Sequence, residues 1–209
     1  VSYRIPNRLK EGYGLHDSYV EEAKKNDVKI IITVDLGISC KKQIDQAEEL
    51  GINVIITDHH RVPKERPSAF ATLHPTLSNY PFKHLSGSGV AFKLAQALLI
   101  QNSANAEQEN NEMILALTDL ASLGTVADMV SLTGENRVIL KLGLEQMQKS
   151  RWHGLHSIIK NSGAKSFTSE TIGFLIGPRI NAAGRMDIAY WAMQTLLATQ
   201  DEAHAKSQK

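Results

Sequence analysis

Two short runs of β-branched residues stand out against a mixed polar background. Residues 29–34, Lys-Ile-Ile-Ile-Thr-Val, lead into Asp35, and residues 53–57, Asn-Val-Ile-Ile-Thr, lead into Asp58-His59-His60. Continuous apolar runs of this length read as strands buried on both faces. The stretch between them, residues 39–50, has helical composition and stops at Gly51, a residue suited to the left-handed turn that ends a helix. Strand, helix and strand at this spacing predict a βαβ unit. Its right-handed crossover makes the two strands parallel. Asp35 and Asp58-His59-His60 then leave the sheet at the same carboxyl edge, where open α/β sheets hold their ligands.

The flanking pattern is increasingly helical. A short amphipathic helix is predicted over 17–26, a loop over 63–67 and a short strand over 69–73. Residues 76–86 are irregular, with Pro75, Asn79 and Pro81 as breakers. A strong helix follows over 89–101. The polar run 102–111 reads as a surface loop or a helix extension. Further helices are predicted over 112–123, 135–149, 155–161, 169–176 and 189–199, with Trp152 and Trp191 in the core. The fold class is therefore α/β: a parallel-sheet domain followed by a mostly helical C-terminal half. No internal repeat interrupts it.

Composition narrows the setting. The 209 residues suffice for a sizeable core, and 42% hydrophobic with 22% charged residues describes an ordinary globular chain. No apolar run reaches the length of a membrane span, and no signal peptide is visible. The single cysteine, Cys40, excludes an internal disulfide and suits a reducing, cytoplasmic setting. A net charge of +1 exerts no global pull on nucleic acid, so any such binding must be local. From Glu135 to Lys165 six basic residues stand against Glu135 and Glu145, either a shallow nucleic-acid-facing patch or solvated helix faces. No stacking platform of interleaved aromatic and basic residues is evident.

Several residues carry candidate chemistry. An Asp after a strand is ordinarily a turn or cap residue, and a lone His is ordinarily solvated. Asp-His-His in tandem is less ordinary, because a strand end aims successive side chains in different directions. One imidazole can bind a metal, the next can face a substrate, and the carboxylate can orient either. Gly87-Ser88-Gly89 opens a helix whose backbone N–H groups can receive a phosphate, or is simply a loop. Arg179, Asn181 and Arg185 follow Pro178, which is expected to terminate the preceding helix. These arginines can grip phosphates bidentately or form salt bridges within the fold.

Thr57-Asp58-His59-His60 resembles the signature of the DHH phosphoesterase superfamily. The stretch Tyr3-Arg4-Ile5-Pro6-Asn7-Arg8-Leu9-Lys10-Glu11-Gly12-Tyr13-Gly14-Leu15 and the blocks Thr33–Ser39, Gly87–Phe92, Leu123–Val130 and Gly177–Arg185 are similar, in order, to blocks of the branch of that family that degrades single-stranded DNA. The resemblance implies a two-metal centre holding Mn²⁺ or Mg²⁺, with Asp35, His59 and Asp128 as ligands. It implies that His60 faces the substrate and assists the leaving oxygen or the phosphate charge, with Asp58 orienting a histidine. Gly87, Ser88, Gly89, Arg179, Asn181 and Arg185 would contact DNA phosphates. The implied activity is 5′-to-3′ exonucleolysis of single-stranded DNA in recombination and repair, with single-strand-binding protein and a helicase as further partners. Two departures accompany the match. The family's earlier Asp-Tyr-Asp-Ala-Asp-Gly motif is absent, and so is its C-terminal DHHA1 domain. The chain therefore reads as the distal part of a DHH domain (1–185) and the start of a connecting helix (186–209), inactive by itself. A DHH enzyme of short oligonucleotides or other small phosphate substrates, and a non-catalytic DHH binding module, are the alternatives.

Overall fold

The computed structural model describes residues 1–7, 11–101, 107–180 and 189–199. The chain divides into two compact units, 1–95 and 96–209. The boundary anticipated at residue 185 falls outside the described residues.

The first unit is the predicted βαβ arrangement with one further strand. Helix α1 (Asp17–Lys25) leads to β1 (Ile30–Val34), α2 (Lys41–Glu49), β2 (Asn53–Thr57) and β3 (Ala71–Leu73). The strands form one parallel sheet in the order β1-β2-β3, with Val34 opposite Thr57 and Thr57 opposite Leu73. Alternation along the strands decides which face is covered. Val54 and Ile56 turn to a core shared with Val20 and Ala23 of α1 and with Ile44 and Ala47 of α2. The Glu48 carboxylate at the end of α2 accepts the N–H groups of Val54 (2.7 Å) and Phe70 (2.8 Å), fastening helix to sheet.

The expectation that both strands are buried on both faces fails for β1. Ile30, Ile32 and Val34 are each about half exposed. The strand lies at the sheet edge, and only Ile31 and Thr33 face the covered side. Helix α3 (Gly87–Gln101) begins two residues before its predicted start. The Ser86 hydroxyl accepts the Gly89 N–H at 3.0 Å and the Ser86 carbonyl accepts that of Val90, so Ser86 caps the helix.

The second unit is helical, as predicted. It contains α4 (Glu107–Ala127), α5 (Gly134–Met147), α6 (His153–Ser162), the π-helical α7 (Thr171–Ile176) and α8 (Ala189–Leu196). Its core gathers Leu123, Leu140, Met147, Leu155, Ile158, Ile159, Ile172 and Ile176, with Trp152 packed against it. Gly143 lets α5 approach α4: a methyl group there would overlap the Ser122 hydroxyl and the Thr118 carbonyl. Helix α4 starts five residues earlier than predicted, so part of the polar run is helical.

Pro178 does not end the helix before it, because residues 177–180 remain helical. The Gly177 N–H donates to the Ile172 carbonyl five residues back, the wide-turn register of a π-helix. Proline then falls in the first turn of a new α-helical register, where its missing N–H is tolerated.

Candidate metal centre

The carboxyl edge of the sheet is built by the two strand ends. The Asp35 N–H continues the ladder to the Thr57 carbonyl at 2.9 Å, and the Asp58 N–H donates to the Leu73 carbonyl at 3.2 Å. Beyond these rungs both strands turn. Asp35 adopts φ +61°, a left-handed conformation that Asp tolerates better than most residues. The Tyr13 hydroxyl donates to the Asp35 carbonyl. Gly37, at φ +119°, sits where a methyl group would press on the Thr33 hydroxyl. That turn delivers the Ile38 N–H to Asp58 Oδ2 at 2.9 Å, so one strand end is tied to the next.

Asp58 is buried and does not point into the open edge. Its Oδ1 accepts the N–H groups of His59 (2.7 Å) and His60 (3.1 Å) and lies 2.7 Å from His60 Nδ1. Burial by itself raises the Asp58 pKa. The donors from Ile38, the His60 ring and the two following amides outweigh it and hold the carboxyl below the usual carboxylate range. A carboxylate ionised at Asp58 fixes the proton of His60 on Nδ1 and leaves Nε2 as the second ring nitrogen.

Asp35, His59 and His60 converge. One ligand atom from each lies within 4.8 Å of the others. Asp35 Oδ1 is shut off from solvent, accepts no hydrogen bond and faces His59 Nε2 at 3.1 Å. Two neighbouring ligands of an octahedral divalent ion at ~2.1 Å stand about 3 Å apart, so this pair has the spacing of a ligand pair. The His59 and His60 rings meet edge to face at 4.7 Å, and the Tyr13 ring meets that of His60 at 5.6 Å. A carboxylate oxygen with two imidazoles is a donor set that suits Mn²⁺.

Gly87 meets this cluster in a way the sequence did not reveal. A methyl group on it would overlap the Asp35 carboxylate. Its φ is not positive. The glycine is needed for room, because the first turn of α3 lies directly against the carboxylate. Ser88 Oγ lies 3.0 Å from Ser86 Oγ, within the cap of the same turn.

The remaining predicted site residues belong to the second unit. Asp128 is exposed just past the end of α4, with its N–H bonded to the Gly124 carbonyl. Arg179 is exposed and donates from Nη1 to the Leu175 carbonyl at 2.6 Å. Asn181 and Arg185 lie outside the described residues. Tyr13 and His74 also reach the carboxyl edge, and neither is marked in the sequence. A lone Tyr in a glycine-rich loop and a lone His after a short strand carry no spacing signal.

A parallel sheet flanked by helices, presenting an Asp-His-His segment beside the Asp35 strand end, places the chain in the α/β class. The chain belongs to the DHH family, whose N-terminal domain matches residues 1–125. It is 43% identical over 210 residues to the single-stranded-DNA-specific exonuclease RecJ of Bacillus subtilis, covering 99% of this chain and 25% of that protein. The Escherichia coli RecJ is 37% identical, over 90% of this chain and 34% of its own length. Among solved structures, exonuclease RecJ bound to manganese superposes with a TM-score of 0.84 at 34% identity, over 98% of this chain and 50% of the other. RecJ from Thermus thermophilus in complex with Mg²⁺ superposes with a TM-score of 0.65 at 28% identity, over 92% and 32%. The chain thus spans a quarter to about a third of the length of these curated relatives. Among the described residues no helix is long and apolar enough to cross a membrane.

Proposed function

We propose that the chain is the distal DHH part of a metal-dependent exonuclease that degrades single-stranded DNA from its 5′ end. The Asp35–His59–His60 cluster at the carboxyl edge carries this reading. The similarity to RecJ proteins, some solved with Mn²⁺ or Mg²⁺, supports it. Asp35 and His59 are the ligands, and His60, oriented by Asp58, faces the scissile phosphate and assists the leaving oxygen or the phosphate charge. When bound, Mn²⁺ or Mg²⁺ supplies a nucleophilic hydroxide at neutral pH and neutralises charge at phosphorus. Asp128 is assigned as a further ligand from its family block. Arg179, Asn181 and Arg185, with the first turn of α3 at Gly87, Ser88 and Gly89, are assigned to DNA phosphates on the same basis. Single-strand-binding protein and a helicase are proposed as partners, and the cytoplasm as the location.

The experiment is turnover of a 5′-phosphorylated single strand by the full-length protein under Mn²⁺. Asp35→Ala and His59→Ala are each expected to lose at least ~10³-fold in kcat with the fold intact, since each deletes a ligand. Normal rates at saturating Mn²⁺ would refute the assignment. The 209-residue chain alone is expected to show no turnover in the same assay.

A further inference from the structure

We infer that His74 is a positioning residue: it clamps the main chain of His60 and so sets the direction of the His60 imidazole. His74 stands one residue past β3, the strand paired with β2, and is 3% exposed. The ladder between these strands ends where the Asp58 N–H reaches the Leu73 carbonyl. Past that rung the His74 side chain takes over, with Nε2 2.8 Å from the His60 carbonyl oxygen.

The partners assign the proton. The Thr76 backbone N–H reaches His74 Nδ1 at 3.2 Å, and a backbone amide can only donate. Nδ1 is therefore the acceptor, Nε2 carries the hydrogen, and the ring donates to the His60 carbonyl. The Thr76 hydroxyl, 3.0 Å from Nδ1, reinforces the same side. The Leu77 N–H and the Ser78 hydroxyl reach the His74 carbonyl, so the clamp is itself anchored in a turn.

His60 is thereby held at three points. Its N–H and Nδ1 go to Asp58, and its carbonyl goes to His74. Two backbone tethers and one ring tether leave little freedom for the side chain, which is what a group acting at a fixed distance from a reacting atom requires. Asp58 alone would leave the carbonyl end of the residue loose. The clamp stands on these contacts alone, whereas its consequence for metal and turnover rests on the function proposed above.

Three variants of the full-length protein separate the two sides of the ring. His74→Gln keeps an N–H donor near the Nε2 position. His74→Asn keeps an acceptor near Nδ1 but falls short of the His60 carbonyl, and His74→Ala keeps neither. Hydrogen exchange of the 58–61 segment, read by mass spectrometry in metal-free protein, should accelerate in the Ala and Asn variants and stay near wild type in Gln. The kcat should fall about 10–100-fold in Ala and Asn, with KM for DNA unchanged and recovery in Gln. Unaltered exchange in His74→Ala, or an Asn variant that matches Gln, would overturn the clamp. Exchange that responds as described across the variants, together with a wild-type protein that takes up no Mn²⁺, would uphold the clamp and overturn the metal reading instead.

Discussion

Each compact unit buries an aspartate, and the two are pushed in opposite directions. Asp58 sits at a strand end in the first unit and Asp119 in the middle of α4 in the second; they are 1% and 0% exposed. Burial raises both. Around Asp58 three backbone amides and an imidazole converge, and the carboxyl ends below its usual range. Around Asp119 stand the Ser150 hydroxyl (2.7 Å), the Leu120 N–H (2.6 Å) and the Trp152 indole N–H (3.0 Å). Fewer donors do not offset the burial, and that carboxyl ends above its usual range. What sets the direction in which a buried acid is pushed here is the set of donors around it, since burial raises both. Asp58 is wired to the histidines of the site, and Asp119 to the segment between α5 and α6.

The largest effect separating the two should come from Asp58→Asn in the full-length protein. The amide can keep one oxygen toward His59 and His60 but turns an NH₂ group on the Ile38 N–H. A buried donor then faces a donor, costing about 2–3 kcal/mol. His60 loses its charged partner, so Mn²⁺-dependent turnover should fall about 10–100-fold. Urea unfolding and single-strand degradation check both. A variant as active and stable as wild type would mean that Asp58 is as detached from the chemistry as Asp119.

Next in size is Asp119→Ala. It strands the Trp152 indole N–H and the Ser150 hydroxyl in a buried place, at about 1–3 kcal/mol. Turnover at a temperature well below melting should not change. Loss of activity without loss of stability would erase the contrast drawn between the units.

The strand–helix–strand core and its carboxyl edge were legible because β-branched runs and a glycine stop report on short-range geometry. Asp35, Asp58, His59 and His60 were legible because they directly follow those runs. What escaped depends on distance in the chain. Gly87 looked like a phosphate-binding turn, yet its lack of a side chain makes room for a carboxylate 52 positions earlier (87 − 35). His74 and Tyr13 reach the site only through the fold, and no periodicity announces them. The half-exposed outer face of β1 also escaped, since a run of Ile and Val reads the same at a sheet edge as at its centre. Pro178 misled for a different reason: the π-helical turn that accommodates it leaves no mark in the sequence.

The smallest effect concerns pH and needs the two signs kept apart. Asp58 has its folded pKa lowered. Its contribution to stability is present above the usual carboxylate range and is lost as pH falls through the folded value. Asp119 has its folded pKa raised. Its contribution is fully present below the ordinary value and is lost as pH rises through the raised one. Asp119→Asn removes that loss while still offering an oxygen to Trp152, and Ser150 can reverse its hydroxyl to accept from the new amide. Stability at acid pH should therefore change by less than ~1 kcal/mol. Above the raised Asp119 pKa the variant should be more stable than wild type, whereas the fall toward acid attributed to Asp58 should persist in both. Urea midpoints followed by circular dichroism across the acid-to-neutral range read this directly. An Asn variant whose pH profile runs parallel to wild type would show that Asp119 titrates in the folded protein as it does in the unfolded chain, and that its three neutral donors suffice after all.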